Sequence, residues 1–227
     1  MAAYTQIIEF FGVPACGKST IVNEILDKDN SCSIKYNELT KEFLQASLIK
    51  KILSIPLNQI FVIACLGLYI ELKKSNGFCF RMTSLMKTIV VYRYSIKFSK
   101  YNKVYVDHGL IQGFVSLIGG NTINNTAKYL EKTNYILSNY PNVQFVFCQI
   151  NLYDAITRLK QRGNHIGRFN EIIESDELYE EYDSELKRFN FIINDQKRVV
   201  KIDTSKPLKE TISRLQVYLN QLNYETN

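Results

Sequence analysis

Eight consecutive residues near the amino end, Gly12-Val13-Pro14-Ala15-Cys16-Gly17-Lys18-Ser19, satisfy the pattern G-x-x-x-x-G-K-[ST] at every specified position. The spacing suits phosphate chemistry. Two glycines let the backbone wrap so that its N–H groups converge on phosphate oxygens. A helix beginning near Lys18 adds the positive end of its dipole. In this pattern Lys18 reaches the terminal phosphates of a nucleotide and Ser19 ligates magnesium, while Gly12, Ala15, Cys16, Gly17 and Thr20 complete the cradle. Cys16 is read as a tolerated small residue rather than a redox centre, because no partner cysteine is evident from the spacing.

A second candidate is Asp107, at the end of the apolar stretch Val104-Tyr105-Val106. Parallel sheets bind ligands at the carboxyl ends of their strands, and the strand before Gly12 delivers the phosphate loop to that same edge. Two roles stay open for Asp107: holding magnesium or accepting the proton of an attacking group. His108 follows as a candidate acceptor contact. Glu38, beyond a short strand at 33–36, is a rival base, although it also reads as an acidic residue in the first turn of a helix.

Three arginines form the third group. Arg158 and Arg162 end a helical stretch, and Arg168 lies in the polar segment after it. Guanidinium groups on a closing loop stabilise the charge that spreads over a phosphoryl group in transfer. The competing reading is that cations simply favour helix C-termini. Arg93, between Tyr92 and Tyr94, is either an acceptor clamp or part of a helix whose aromatic face packs inward.

The elements that must carry these residues alternate. Short apolar strands are expected at 7–11, 33–36, 103–107, 143–150 and 199–202. Helical patterns are expected at 20–26, 38–74 with a break at Pro56, 82–100, 126–138, 153–162, 178–193 and 208–222. Gly119 to Asn125 reads as a loop. Such alternation implies a parallel sheet covered on both faces. With 227 residues, 46% hydrophobic and 22% charged, the chain is expected to form one domain over 1–227. Ile60 to Ile70 is an unbroken apolar run, shorter than the roughly 20 residues of a membrane span, and is expected to be a buried helix. A net charge of +6 suits phosphorylated ligands, and without a dense basic run interleaved with aromatics nucleic acid is not expected. Five cysteines in no metal or disulfide spacing and the absence of a signal-type amino end give the cytoplasm as the expected compartment.

Four segments together resemble the thymidylate kinase family of P-loop nucleoside and nucleotide kinases: Phe11 to Thr20, Val104 to Gly109, Arg158 to Phe169, and Val199 to Leu208. The resemblance implies a five-stranded parallel sheet, ATP as donor, Mg2+ as cofactor and an arginine-bearing lid at about 158–175. It implies that Arg158, with Thr204 and Ser205, flanks the adenine, that Arg162 and Arg168 reach the phosphates, and that Arg93 binds the acceptor. A small-molecule phosphoryl acceptor is the expected partner, with a homodimer compatible and no membrane partner. Two departures stand out. Asp107-His108 replaces the family's Asp-Arg, and Gly167 replaces an Asp before Arg168. The leading expectation is a nucleoside monophosphate kinase. The alternatives are a kinase acting on a hydroxyl of a nucleoside, sugar or antibiotic, and a nucleotide-binding module without turnover.

Overall fold

The computed structural model describes residues 5–28, 33–71, 77–119, 121–161, 177–194, 196 and 198–225. Strand β1 (Gln6–Phe11) leads into helix α1 (Lys18–Lys28), followed by β2 (Ser33–Lys35), α2 (Tyr36–Gln45), α3 (Leu48–Leu53) and α4 (Leu57–Leu66). A 3-10 turn at Gly67–Tyr69 and the short strand β3 (Ile70–Glu71) precede the long helix α5 (Phe78–Phe98). Then come β4 (Lys103–Val106), α6 (Leu110–Ile118), β5 (Thr122–Ile123), α7 (Thr126–Ser138), β6 (Val143–Gln149), α8 (Leu152–Gln161), α9 (Glu177–Ile193), β7 (Val199–Asp203) and α10 (Leu208–Glu225).

Five strands form one sheet in the order β2-β4-β1-β6-β7, every neighbouring pair parallel. Residues 7–11 of β1 are all buried although successive side chains point to opposite faces. Both faces are therefore covered, as the unbroken apolar strands require. Beside the phosphate loop, Phe11 stacks on Phe147 at 5.1 Å between ring centroids, and Phe189 of α9 leans on both at 5.7 and 5.9 Å. These rings make the strand end that launches the loop rigid.

The sheet places β1 between β4 and β6, so the residues after β1 and β4 emerge side by side at one edge. That is the geometry the strand-end argument for Asp107 required.

Three expectations change. The region 38–74 is broken twice, at Ala46-Ser47 and around Pro56, and ends in a strand. The expected loop at 119–125 contains β5, which pairs antiparallel with β3. The apolar run at 60–70 is helical only as far as Leu66 before the 3-10 turn, and it is not buried throughout: Phe61 and Leu68 are 70% and 76% exposed. No helix among the described residues is long and apolar enough to cross a membrane.

Candidate active site

The phosphate loop has the backbone its sequence demands. Gly12 and Gly17 adopt φ of 145° and 93°, and Ala15 adopts φ of 62°. Gly12 cannot be replaced cheaply, since a Cβ there would lie 2.7 Å from the Cys148 carbonyl oxygen. Ala15 carries the left-handed conformation without being glycine, at a cost of about 1–2 kcal/mol. The Lys18 ammonium folds over the loop and donates to the carbonyls of Gly12 at 2.7 Å and Val13 at 3.0 Å. It also lies 3.5 Å from the Cys16 sulfur.

Cys16 does have a partner. Cys148, near the end of β6, donates from its thiol to the Cys16 sulfur. Burial pushes the Cys16 thiol up, but the Cys148 hydrogen bond and the Lys18 charge outweigh it and hold the thiol below its usual range. Burial drives Cys148 the other way, well above that range. The two cysteines are 132 residues apart, which is why spacing did not pair them.

The Ser19 hydroxyl donates to Asp107 Oδ2 at 2.7 Å. Two hard oxygen donors, from the segments that follow the neighbouring strands β1 and β4, thus meet at one point. Their separation is close to the roughly 2.9 Å edge of an octahedron with ~2.1 Å metal–oxygen bonds. Among the described residues there is no cluster of three or more metal-ligating side chains. A pair of protein oxygens fits Mg2+, which keeps several waters and takes its remaining ligands from phosphates.

Beneath this pair lies a carboxylate that the sequence reading did not single out. Glu9, fully buried in the middle of β1, accepts from the Tyr92 hydroxyl at 2.9 Å and the Leu110 N–H at 2.8 Å on Oε2, and from the Ile111 N–H at 2.8 Å on Oε1. It therefore caps α6, whose own N-cap residue, Gly109, supplies no side chain. A Cβ on Gly109 would run into the Glu9 carboxyl and the Tyr92 hydroxyl. The Asp107-His108-Gly109 turn is thus threaded over Glu9. Burial raises the Glu9 carboxyl to about 7 despite these donors, which pull it down. The same helix carries Gln112, whose Oε1 accepts from the Gly12 N–H at 3.4 Å and whose Nε2 donates to Glu185 at 3.5 Å. Tyr182 of α9 donates to the Pro14 carbonyl at 3.0 Å. The acidic turn and the phosphate loop are therefore tied through α6 and α9. An acid inside an otherwise apolar strand was the one available signal.

Two cavities lie along this edge. One, of about 280 Å³, is lined by Ala15, Gly17, Thr20, Arg158, Thr204 and Lys206 among others. Arg158 donates to the Thr204 carbonyl at 3.0 Å, and Thr204 is itself pinned to the Gln149 carbonyl through its N–H at 2.7 Å and its hydroxyl at 2.8 Å. Ser205 is exposed beside it, donating its N–H to Asp203 Oδ1 at 2.9 Å. The second cavity, of about 300 Å³, is lined by Tyr36, Phe80, Arg81, Lys87, His108 and Gln112 among others.

The fold separates two of the expected acceptor contacts from this second cavity. Among the described residues that line it, Arg93 is missing. It is half-buried on α5, near enough to Tyr140 to offset part of the rise that burial imposes on that phenol. Arg81 and Lys87, earlier on the same helix, stand at the cavity instead. Glu38 is exposed and lines a separate outer groove with Asn23 and Asp27. Arg162 and Arg168 lie outside the described residues.

No protein-family model matches the sequence, and no curated protein matches it. Solved structures do resemble the fold. A deoxyadenosine kinase from M. mycoides with the products dCMP and dCDP bound superposes with a TM-score of 0.54 at 17% identity, over 95% of this chain and 99% of that one. The same enzyme with bound dATP gives 0.52 at 16% identity, over 94% and 98%. Thymidylate kinase from Candida albicans gives 0.51 at 14% identity, over 98% of this chain and 94% of that one. The chain has the five-stranded fold of the P-loop nucleoside and nucleotide kinases.

Proposed function

We propose that the protein is an ATP-dependent kinase whose acceptor is a nucleoside monophosphate. The observation that carries this reading is the Ser19–Asp107 contact at 2.7 Å, set on the strand-end edge that also bears both cavities. A γ-phosphoryl held by the loop would sit beside that contact.

In this reading the whole chain works as one kinase unit. The cavity at Arg158 and Thr204 takes the adenine, with Ser205 at its rim. The loop amides and Lys18 hold the phosphates. Ser19 and Asp107 would hold Mg2+, which would supply neutralisation of the negative charge on the nucleotide phosphates when bound. Arg162 and Arg168, in a lid at about 158–175, would close over the transferring group and exclude water. An acceptor phosphate oxygen attacks the γ-phosphorus, the bond to the β-phosphate oxygen breaks, and ADP leaves. That oxygen is already unprotonated near neutral pH, so no general base is required, and the outward position of Glu38 is no obstacle. Arg81 and Lys87 at the acceptor cavity would supply the positive charge that the missing arginine after Asp107 would have given, with His108 lining the same cavity.

A second reading keeps the chemistry and moves the acceptor to a nucleoside hydroxyl. The Asp107-His108 turn supports it, because a neutral acceptor needs fewer cations. A hydroxyl must lose its proton, and Asp107 Oδ1 is then the base.

Purified protein, Mg2+ and ATP are incubated with matched pairs of nucleosides and nucleoside monophosphates, and the phosphorylated product is identified by mass. Diphosphates as products support the leading reading. Monophosphates formed only from nucleosides replace it with the second. No product from either class, in protein that binds ATP, rejects both.

A further inference from the structure

Phosphoryl transfer leaves two buried nucleophiles unused. Cys16 sits inside the phosphate loop and Cys148 near the end of β6, and both are buried, at 0% and 1% exposure. The loop turns the Cys16 sulfur back across Gly12 toward β6. A Cβ on Gly12 would lie 3.0 Å from that sulfur and 2.7 Å from the Cys148 carbonyl oxygen. The two side chains meet there, with the Cys148 thiol donating to the Cys16 sulfur. Both are free thiols. The sulfurs need only close from hydrogen-bond contact to the ~2.0 Å of a disulfide.

The pair is also divided in the way that thiol oxidation requires. The Lys18 ammonium lies 3.5 Å from the Cys16 sulfur. Against the effect of burial, the Cys148 hydrogen bond and the Lys18 charge hold the Cys16 thiol below its usual range. Cys16 therefore supplies the thiolate, which is the nucleophile in thiol chemistry. Burial keeps the proton on Cys148, which stands beside it as the resolving thiol. A buried cysteine in apolar surroundings is inert, whereas one beside a lysine is activated. Nor does burial bar a small neutral oxidant. Lys18 is only half-buried, and it has to leave the Gly12 and Val13 carbonyls to hold a phosphate, which uncovers the loop interior.

We propose that Cys16 and Cys148 are a redox modification site, at which a peroxide joins them in a disulfide that ties the phosphate loop to β6. The Cys16 thiolate attacks one peroxide oxygen. An S–O bond forms, the O–O bond breaks and hydroxide leaves, giving a sulfenic acid. The Cys148 sulfur then attacks the Cys16 sulfur. The S–S bond forms, the S–O bond breaks, and the oxygen departs as water with the Cys148 proton. Each sulfur gives up one electron and the peroxide gains two. Cys16 directly precedes Gly17 and Lys18, so drawing it toward β6 distorts the cradle and weakens ATP binding. That consequence rests on the proposed kinase function, whereas the disulfide itself does not. Nucleotide opposes the reaction, because its phosphates draw Lys18 away from the Cys16 sulfur.

The reduced full chain is treated with hydrogen peroxide, with and without ATP and Mg2+. It is then alkylated, digested without reductant and analysed by mass, and ATP binding is measured by calorimetry on undigested protein. The expected product is a linked pair of peptides containing Cys16 and Cys148, lighter by two hydrogens. It should form at least about fivefold more slowly under saturating ATP. ATP affinity should fall at least about tenfold on oxidation and return with dithiothreitol. Cys148→Ser keeps a donor to the Cys16 sulfur but cannot close the bond. In that variant Cys16 should accumulate as sulfenic acid, trapped by dimedone, and run on to the sulfinic state that dithiothreitol does not reverse. Cys148→Ala repeats the comparison where serine disturbs the fold. Cys148 alkylated as a free thiol after peroxide treatment overturns the proposal, as does a link from either residue to a different cysteine. A Cys16–Cys148 link that leaves ATP affinity unchanged overturns the stated effect on the loop. Reduced protein that binds no ATP strikes the proposed function alone, and the linked peptide still decides the disulfide.

Discussion

The buried carboxylate under the acidic turn ties the site to pH in a direction that can be worked out. Glu9 is raised from an ordinary value of 4.5 to about 7 in the folded protein, because burial penalises the charged form more than its hydrogen-bond donors favour it. Between those two values the folded chain keeps a proton on Glu9 that the unfolded chain has released. Stability must therefore fall as pH rises through this window, by about 1.4 kcal/mol per pH step and on the order of 3 kcal/mol across it. The contribution is fully present below about pH 4.5 and lost above about pH 7. Glu9→Gln removes the titration while keeping the shape and one acceptor oxygen. Urea unfolding of both proteins at about pH 5 and about pH 8 isolates the effect, since every other group is common to the two. The wild type should lose on the order of 3 kcal/mol more than the variant over that interval. Parallel pH profiles for the two proteins would refute the buried, protonated Glu9. A variant that loses stability more steeply than the wild type would reverse the sign and refute the argument itself.

Other consequences are more local. Gly109→Ala should destabilise the fold by about 2–3 kcal/mol, read from chemical denaturation, because the new methyl group has only the Glu9 carboxyl and Tyr92 to displace. Lys18→Ala should leave the circular dichroism unchanged and cut phosphoryl transfer by at least about 100-fold, since its ammonium is the cation seated over the loop. Arg158→Ala should raise the KM for ATP by about tenfold with a smaller change in kcat. It removes one wall of the cavity and the link to the Thr204 carbonyl, a charged hydrogen bond worth roughly 1.5–3 kcal/mol in gross terms.

The parts of the site written in contiguous residues were readable in advance. The phosphate loop is such a part, and its glycine angles follow from the pattern. Asp107 was reachable by rule, because an acid at the end of a parallel strand lands on the ligand edge. What could not be read were meetings across the sheet. The Glu9 donors are 83 to 102 residues away, and Cys16 meets Cys148 only because β6 runs beside β1. Helix α6 went unread for a different reason. Seven of its nine residues are buried, and a short apolar run with a glycine in its middle cannot be told from a buried strand by pattern alone. The run at 60–70 shows the converse limit. Apolarity announced that the helix wants cover, but not that its outer stripe finds none among the described residues. Arg93 and Arg81 share helix α5, and spacing alone could not tell which of them turns toward the cavity.

Calorimetric titration of ATP into the folded protein, with and without Mg2+ and repeated on Asp107→Ala, tests the central arrangement most directly. The wild type should bind one ATP per chain, at least about tenfold more tightly with the metal present, and the variant should bind with no such gain. Absence of any ATP uptake by folded wild-type protein, or a metal effect that persists undiminished in Asp107→Ala, would contradict the joining of the phosphate loop and the acidic turn into one site.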